Sequence, residues 1–388
     1  MIKDAAYWIS FAHTKQIRTA KLNEILKKIY YDEKISISDF FNLEENYWRT
    51  TFRLNDEEIQ SLIESKSELT NNSFLAEDLF NQGFNMIPII SEDYPERLKS
   101  NLSLKDKLSC PPLLYIKGDK QIFTEKAIAI VGSREASAKA LEFTDNIARI
   151  ATKEFKVIVS GFAKGVDKQA LESALKYTGR SIIVLPQGIT TFSSGFKKYY
   201  KQIVDGDVLV LSTFHPKAPW SVELAMARNP IIYALADEIY IAETSEKGGT
   251  WAGAIDGLRR KRIIYVRKPE TDESNANNLL IEKGAIPVNI EGELLSSNIT
   301  PKYNFNSIPK QEMLVRENPN NLEQKIYSIL NGNLVSASEI IKKINSDWSV
   351  HKMTNYLKTL EFVEIRKKDK LYFTVKNSIK EDTLFDMT

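Results

Sequence analysis

Short, unbroken apolar runs alternate with amphipathic stretches through the middle of the chain. The runs are Ala127–Val131, Val157–Ser160, Ser181–Leu185, Val208–Leu211, Glu238–Ala242 and Ile263–Val266. A run without polar alternation describes a strand buried on both faces, the kind found in parallel sheets. After the first run, Ala138, Leu141, Ile147 and Ala148 fall on one helical face. The alternation predicts βαβ units and an α/β fold built on a doubly wound, mostly parallel sheet. Ligands of such sheets bind outside the carboxyl ends of the strands.

The flanks follow other patterns. Residues 1–105 read as a helical N-terminal domain, with amphipathic stretches around Lys21–Tyr31 and Glu57–Glu68. "SEDYPERLKS" supplies a proline stop, and "CPPLLYIKGD" an extended apolar segment leading into the sheet domain, 106–292. Residues 293–320 lack periodicity and hold three prolines, which predicts a linker. In 321–377, Leu322, Ile326, Ile329 and Leu330 form one helical face, Ile340, Ile341 and Ile344 a second, and Val350, Met353, Leu357 and Leu360 a third. Alternation through Val363 and Ile365, a turn at Lys367–Lys370, and alternation through Leu371, Phe373 and Val375 complete the plan of a winged helix. Its third helix is poorly basic (His351, Lys352, Lys358), so duplex reading is weakly supported. Residues 378–388 are left as a tail.

Composition narrows the chemistry. The chain has 388 residues, 43% hydrophobic and 27% charged, which suits two or three globular domains. Net charge is +2, so any surface for nucleic acid must be local. A single cysteine, Cys110, excludes an internal disulfide framework and fits a cytoplasmic protein. No long apolar span and no signal-peptide plan at Met1–Asp4 are evident, so no membrane partner is expected. His13, His215 and His351 lie far apart, and no metal or other cofactor is expected.

Candidate chemistry gathers at the strand ends. The first strand runs into Gly132-Ser133-Arg134, where backbone N–H groups at a helix start attract anions and a guanidinium fork suits phosphate. The same residues also describe a tight turn with an exposed arginine. The second strand ends in "SGFAKGVDK": Ser160, Gly161, Phe162, Lys164, Gly165 and Lys168, with Asp167 placed to cap the helix. "MARNP" brings Arg228 and Asn229, and "EKGGTWAG" brings Lys247 and a glycine pair. Together these describe a phosphate-accepting cleft. Phe162 is either a stacking platform for a base or a core residue. "RRKRIIYVRK" places six basic residues among ten, and Arg260 and Lys261 read as a solvated helix end. Trp220 and Trp251 read as core or interface residues.

The order of these motifs resembles that of the DNA-processing protein A (DprA/Smf) family. "DYPERL", "PPLLYIKG", "AIVGSREAS", "VIVSGFAKGVDKQALESAL", "IIVLPQGI" and "ARNPIIYALADEIYIAE" follow in the family's sequence. The resemblance implies a Rossmann-like domain and binding of single-stranded DNA without catalysis. It further implies a homodimer formed through that domain, and delivery of the strand to the recombinase RecA during natural transformation. Arg134 and Lys164 would then contact the strand backbone, with Lys168 and Arg228 in support. The N–H groups of Gly132-Ser133 and Gly161 would add hydrogen bonds.

The chain also departs from the family pattern. Pro230 stands where the family has the second arginine of Arg-Asn-Arg, Leu171 where a histidine is common, Ser212-Thr213 where it has Ser-Glu, and "KGGTWAG" where it has a serine-rich motif. Lys247 stands to replace part of the lost charge. The departures leave open a DprA-like paralogue in a mobile-element or defence system. A rival from another class is a nucleotide sensor or an N-glycosidase of the phosphoribohydrolase type. That enzyme needs a glutamate soon after the late glycines, where Ala252, Gly253 and Ala254 stand and Asp256 is displaced. A nicotinamide-linked dehydrogenase is disfavoured because the first turn lacks G-x-G-x-x-G.

Overall fold

Four of the apolar runs become strands buried at every position: β3 (Ala127–Val131), β4 (Val157–Ser160), β5 (Ser181–Val184) and β6 (Val208–Ser212). The other two, β7 (Glu238–Ile241) and β8 (Ile263–Arg267), are buried in part. Each begins where the pattern predicts and ends within one residue of it. The computed structural model describes residues 4–104 and 107–295. In the C-terminal part it describes residues 326, 329–330, 335–344, 348–359, 363–367 and 370–374. The linker expected at 293–320 falls largely outside these residues, and the tail at 378–388 entirely so.

Three more strands complete the sheet: β1 (Asn85–Pro88), β2 (Leu113–Lys117) and β9 (Ile286–Val288). The strand order is β1-β2-β6-β5-β4-β3-β7-β8-β9. From β6 to β9 every pairing is parallel, whereas β1 and β2 join antiparallel at one edge. The strand β1 interrupts the region expected to be helical, and "PPLLYIKG" forms β2.

Each face of the sheet has its own core. On one face Ile128, Ile130 and Ile158 pack against Phe143, Ile147, Ala170 and Ala174 of helices Ala138–Lys153 and Val166–Lys176. On the other, Ala129, Val131, Val157 and Val159 join a larger core with Ile231, Ile232 and Leu235 of helix Val222–Leu235. That core continues into the N-terminal helices through Trp8, Phe11, Phe40, Phe41 and Leu62. Capping boxes at Ser36/Asp39 and Asn55/Glu58 start two of those helices. His13 bonds the Tyr115 hydroxyl on β2 at 2.9 Å, and burial lowers its pKa to about 3, so the ring is neutral near pH 7. Residues 1–301 thus form one compact unit and 302–388 a second.

In the second unit, helices Ala337–Ile344 and Val350–Thr359 precede an antiparallel hairpin, Val363–Lys367 with Lys370–Thr374. A two-residue strand, Val335–Ser336, adds to the hairpin, and Ile326, Leu330, Ile340, Met353, Leu357 and Phe373 form the core. Leu322, Leu360 and Val375, expected on its apolar faces, lie outside the described residues. Among the described residues no helix is long and apolar enough to cross a membrane, and no group of three metal-ligating side chains occurs.

One buried ion pair fixes the C-terminal end of β7. Arg267 donates to the Ala242 carbonyl and to both carboxylate oxygens of Glu273, at 2.8 and 2.5 Å. Asn277 donates to the Ala242 and Arg267 carbonyls and accepts from the Thr244 amide. The hydrogen bonds from Arg267 hold the Glu273 pKa down to about 2, against an ordinary 4.5. A depressed carboxylate contributes stability above its unfolded pKa and loses it as pH falls through the folded one. Glu273→Gln is therefore expected to cost about 1.5–3 kcal/mol near neutral pH. The difference from the parent should shrink as pH falls from 4.5 toward 2. Denaturant unfolding across that range checks it.

Candidate functional site

The strand order reverses between β3 and β7: β4, β5 and β6 run out on one side of β3, and β7, β8 and β9 on the other. At such a reversal the two connections leave in opposite directions and a crevice opens at the carboxyl ends. Here it is a hollow of about 410 Å³, lined by Gly132, Ser133 and Arg134 after β3 and by Thr244, Ser245 and Lys247–Thr250 after β7. Arg228 and Asn229 line it from helix Val222–Leu235, and Asp167 from helix Val166–Lys176.

Arg228 is 3% exposed and runs past Gly161, where any Cβ would strike its guanidinium. Its Nη1 donates to the Val184 carbonyl at 2.8 Å, while its Nε has no partner. Burial lowers the pKa of this guanidinium, the nearby Asp167 carboxylate raises it, and the charge of Arg134 lowers it further. Burial raises the pKa of Asp167, opposed by Arg228 and by the amides of Ala163 and Gly161. Pro230, in the middle of the same helix, has no N–H to give the Met226 carbonyl, and Met226 lines the hollow.

Two further hollows adjoin the first, and Arg134 lines all three. One, of about 240 Å³, is walled by Gly161, Phe162, Lys164, Gln187, Trp220 and Arg228. The other, of about 580 Å³, is walled by Lys164, Gly165, Lys168 and Glu172. The exposed Arg134 guanidinium lies 6.0 Å from the centre of the Trp220 ring. Trp220 is 50% exposed, with Val222 and Met226 exposed beside it. Its loop is held from behind: the amides of Gly188 and Thr190 donate to the carbonyls of Ala218 and Pro216 at 2.8 and 3.1 Å. His215 in that loop packs edge-on to His13 at 5.3 Å.

Eleven of the twelve sequence-derived site residues line these hollows; Ser160 does not. Its buried hydroxyl donates to the Ile130 carbonyl at 2.8 Å and ties β4 to β3. Two of the amides expected to meet an anion are also spent. Ser133 donates to the Glu243 carbonyl at 2.9 Å, and Gly161 to the Asp167 carboxylate at 3.2 Å. Gly165, with φ near 84°, passes so close to the Ser133 and Arg134 carbonyls that only glycine fits.

Phe162 is half-buried. It packs edge-on against Phe192 and Tyr199, at 5.1 and 5.7 Å, yet still faces the 240 Å³ hollow. Its φ of 60° is a strained conformation for a bulky residue. Lys168 is exposed, with Glu172 at 3.9 Å.

Other basic residues are committed elsewhere. Arg259 and Arg260 bond Asp256, Arg262 donates to the Ala236 carbonyl, and Arg267 holds Glu273. Sequence reasoning missed Trp220 as a cleft residue, because a lone aromatic after proline carries no periodic signal. It also missed the amides of Gly249 and Thr250, which have no acceptor and open helix Gly249–Arg259 into the first hollow. The signal was present in the paired glycines of "EKGGT".

A sequence model of the family described as DNA recombination-mediator protein A matches residues 85–298, more than half of the chain. The DNA processing protein DprA of Streptococcus pneumoniae is 31% identical over 185 residues, covering 47% of this chain and 63% of that protein. The protein of the same name in Bacillus subtilis is 30% identical over 189 residues, covering 47% and 60%. The chain therefore spans less than two thirds of the length of either relative. The crystal structure of the S. pneumoniae protein superposes with a TM-score of 0.61 at 22% identity. It covers 75% of this chain and 96% of that one, and so shares the fold. With the family model spanning the whole sheet and the crevice at its reversal, the chain belongs to the DNA recombination-mediator protein A family.

Proposed function

We propose that the chain binds single-stranded DNA along the rim centred on Arg134 and, as a homodimer through its sheet domain, delivers the strand to the recombinase RecA during natural transformation. One observation carries the strand-binding reading. A single exposed guanidinium borders three adjoining hollows whose walls bring Lys164, Lys168 and Lys247 together with Trp220 and Phe162. Spaced cations with aromatic faces suit a flexible strand, whose phosphates and bases alternate, and demand no particular sequence. Membership of a recombination-mediator family supports the same reading. RecA and transformation come from the family resemblance. The family resemblance implies binding without turnover, and Asp256, the displaced carboxylate after the late glycines, is held by Arg259 and Arg260. The second unit, two helices ahead of a hairpin, is read as a winged helix that serves something other than strand binding.

Affinity for oligothymidylate should fall with a log–log salt slope of about −2 to −3, from three or four phosphates at about −0.7 each. A slope near zero, or preference for duplex, contradicts the reading. Arg134→Ala should weaken strand binding about ten- to hundredfold, the worth of a charge-assisted contact of about 1.5–3 kcal/mol. Its melting temperature should barely move, since the side chain is exposed. Arg134→Lys should recover only part of the affinity, because it keeps the charge and loses the planar fork. Removing residues 302–388 should leave affinity within a few-fold; loss of all binding by the folded fragment would assign the strand to the second unit.

A further inference from the structure

The 410 Å³ hollow differs from its neighbours in what its floor offers. Gly248, at φ near 95°, starts helix Gly249–Arg259 with no side-chain cap, and the Gly249 and Thr250 amides have no acceptor. The first N–H groups of a helix, left unpaired, favour an anion. Arg228 independently points to the same place. It lines the hollow and is 3% exposed, and its Nη2 makes no hydrogen bond within the protein. A buried guanidinium with an unmet donor is costly unless an acceptor arrives. Arg134 and Lys247 are exposed on the same wall, and the Asn229 amide lies against Gly249. Of the two carboxylates in the wall, Glu135 is exposed and Asp167 accepts from the Gly161 amide.

We infer that this hollow takes a terminal phosphate carried on a nucleoside, from either a free nucleoside 5′-monophosphate or the phosphorylated end of a DNA strand. The strand-end case rests on the reading above. A phosphomonoester carries a charge of about −1.5 to −2 at neutral pH and three free oxygens. An internal linkage has one charge and two free oxygens. The monoester therefore matches a floor that combines two unpaired amides, a buried guanidinium and two exposed cations. The volume lies in the range of small-molecule sites and leaves room for the attached nucleoside. The neighbouring hollow, sharing Arg134, Ala163 and Arg228 as a wall, continues the path toward Trp220 and Phe162 for the next nucleotide.

The test uses the full chain and fluorescence anisotropy of short oligothymidylates labelled at the 3′ end, with a 5′-phosphate or a 5′-hydroxyl. The 5′-phosphate should tighten binding about tenfold. Thymidine 5′-monophosphate should displace the strand and thymidine should not. Asn229→Asp, nearly isosteric, places a carboxylate beside Gly249; it should abolish the difference in affinity between the two ends. Equal affinity for the two ends without displacement by the monophosphate overturns the inference and leaves strand binding standing. Competition by inorganic phosphate as strong as by the monophosphate overturns the nucleoside requirement. If neither strand binds, the strand reading fails separately, and calorimetry with the monophosphate decides. Binding that Asn229→Asp weakens supports the site, and absence of heat overturns it. Should that variant fail to fold, displacement by the monophosphate in the parent chain decides alone.

Discussion

The reversal of strand order at β3 is the constraint on which the cleft depends. A parallel sheet must send each connection over one face or the other, and its helices normally cover the strand ends they leave. Between β3 and β7 the connections diverge, and only side chains can fill the gap. Arg228 lines the resulting hollow. Its long side chain crosses from helix Val222–Leu235 to the Val184 carbonyl over a glycine that leaves it room. The same side chain forms part of the wall of two hollows, so support and cavity wall are one structure here.

That arrangement divides the cleft's polar groups into two sets. Ser160, Asp167 and the amides of Ser133 and Gly161 are used inside the protein, and they hold the turns after β3 and β4 in place. Arg134, Lys164 and Lys247 stay exposed, and the Gly249 and Thr250 amides stay unpaired. The first set fixes geometry at a cost in strain, visible in the positive φ of Phe162. The second set is free to meet phosphate. The hydrogen bonds of Arg267 and Asn277 at the end of β7 hold the start of this second wall.

Strands β3 to β6 were legible in the sequence because burial on both faces leaves almost no polar position in them. Strands β1 and β9 were not, since each is short and sits at a sheet edge where half the pattern is lost. The site was legible as a collection of residue types near strand ends. Which of their atoms remain available was not, because a serine hydroxyl or a backbone amide reads the same whether it faces a ligand or a neighbouring carbonyl. Gly132-Ser133-Arg134 illustrates both halves: the arginine is exposed as the motif suggests, and the serine amide is already bonded to Glu243. Trp220 gave no signal in the sequence, since its role depends on a loop held by Gly188 and Thr190, residues about thirty positions upstream.

Photocrosslinking tests most directly whether a strand lies along the Arg134 rim. An oligothymidylate carrying one 5-iodouracil is irradiated with the full chain, and the adducts are mapped by mass spectrometry. Binding along the rim predicts adducts on Trp220 or Phe162, two of the three aromatic rings lining the 240 Å³ hollow. Adducts confined to the N-terminal helices or to residues 302–388 would contradict it.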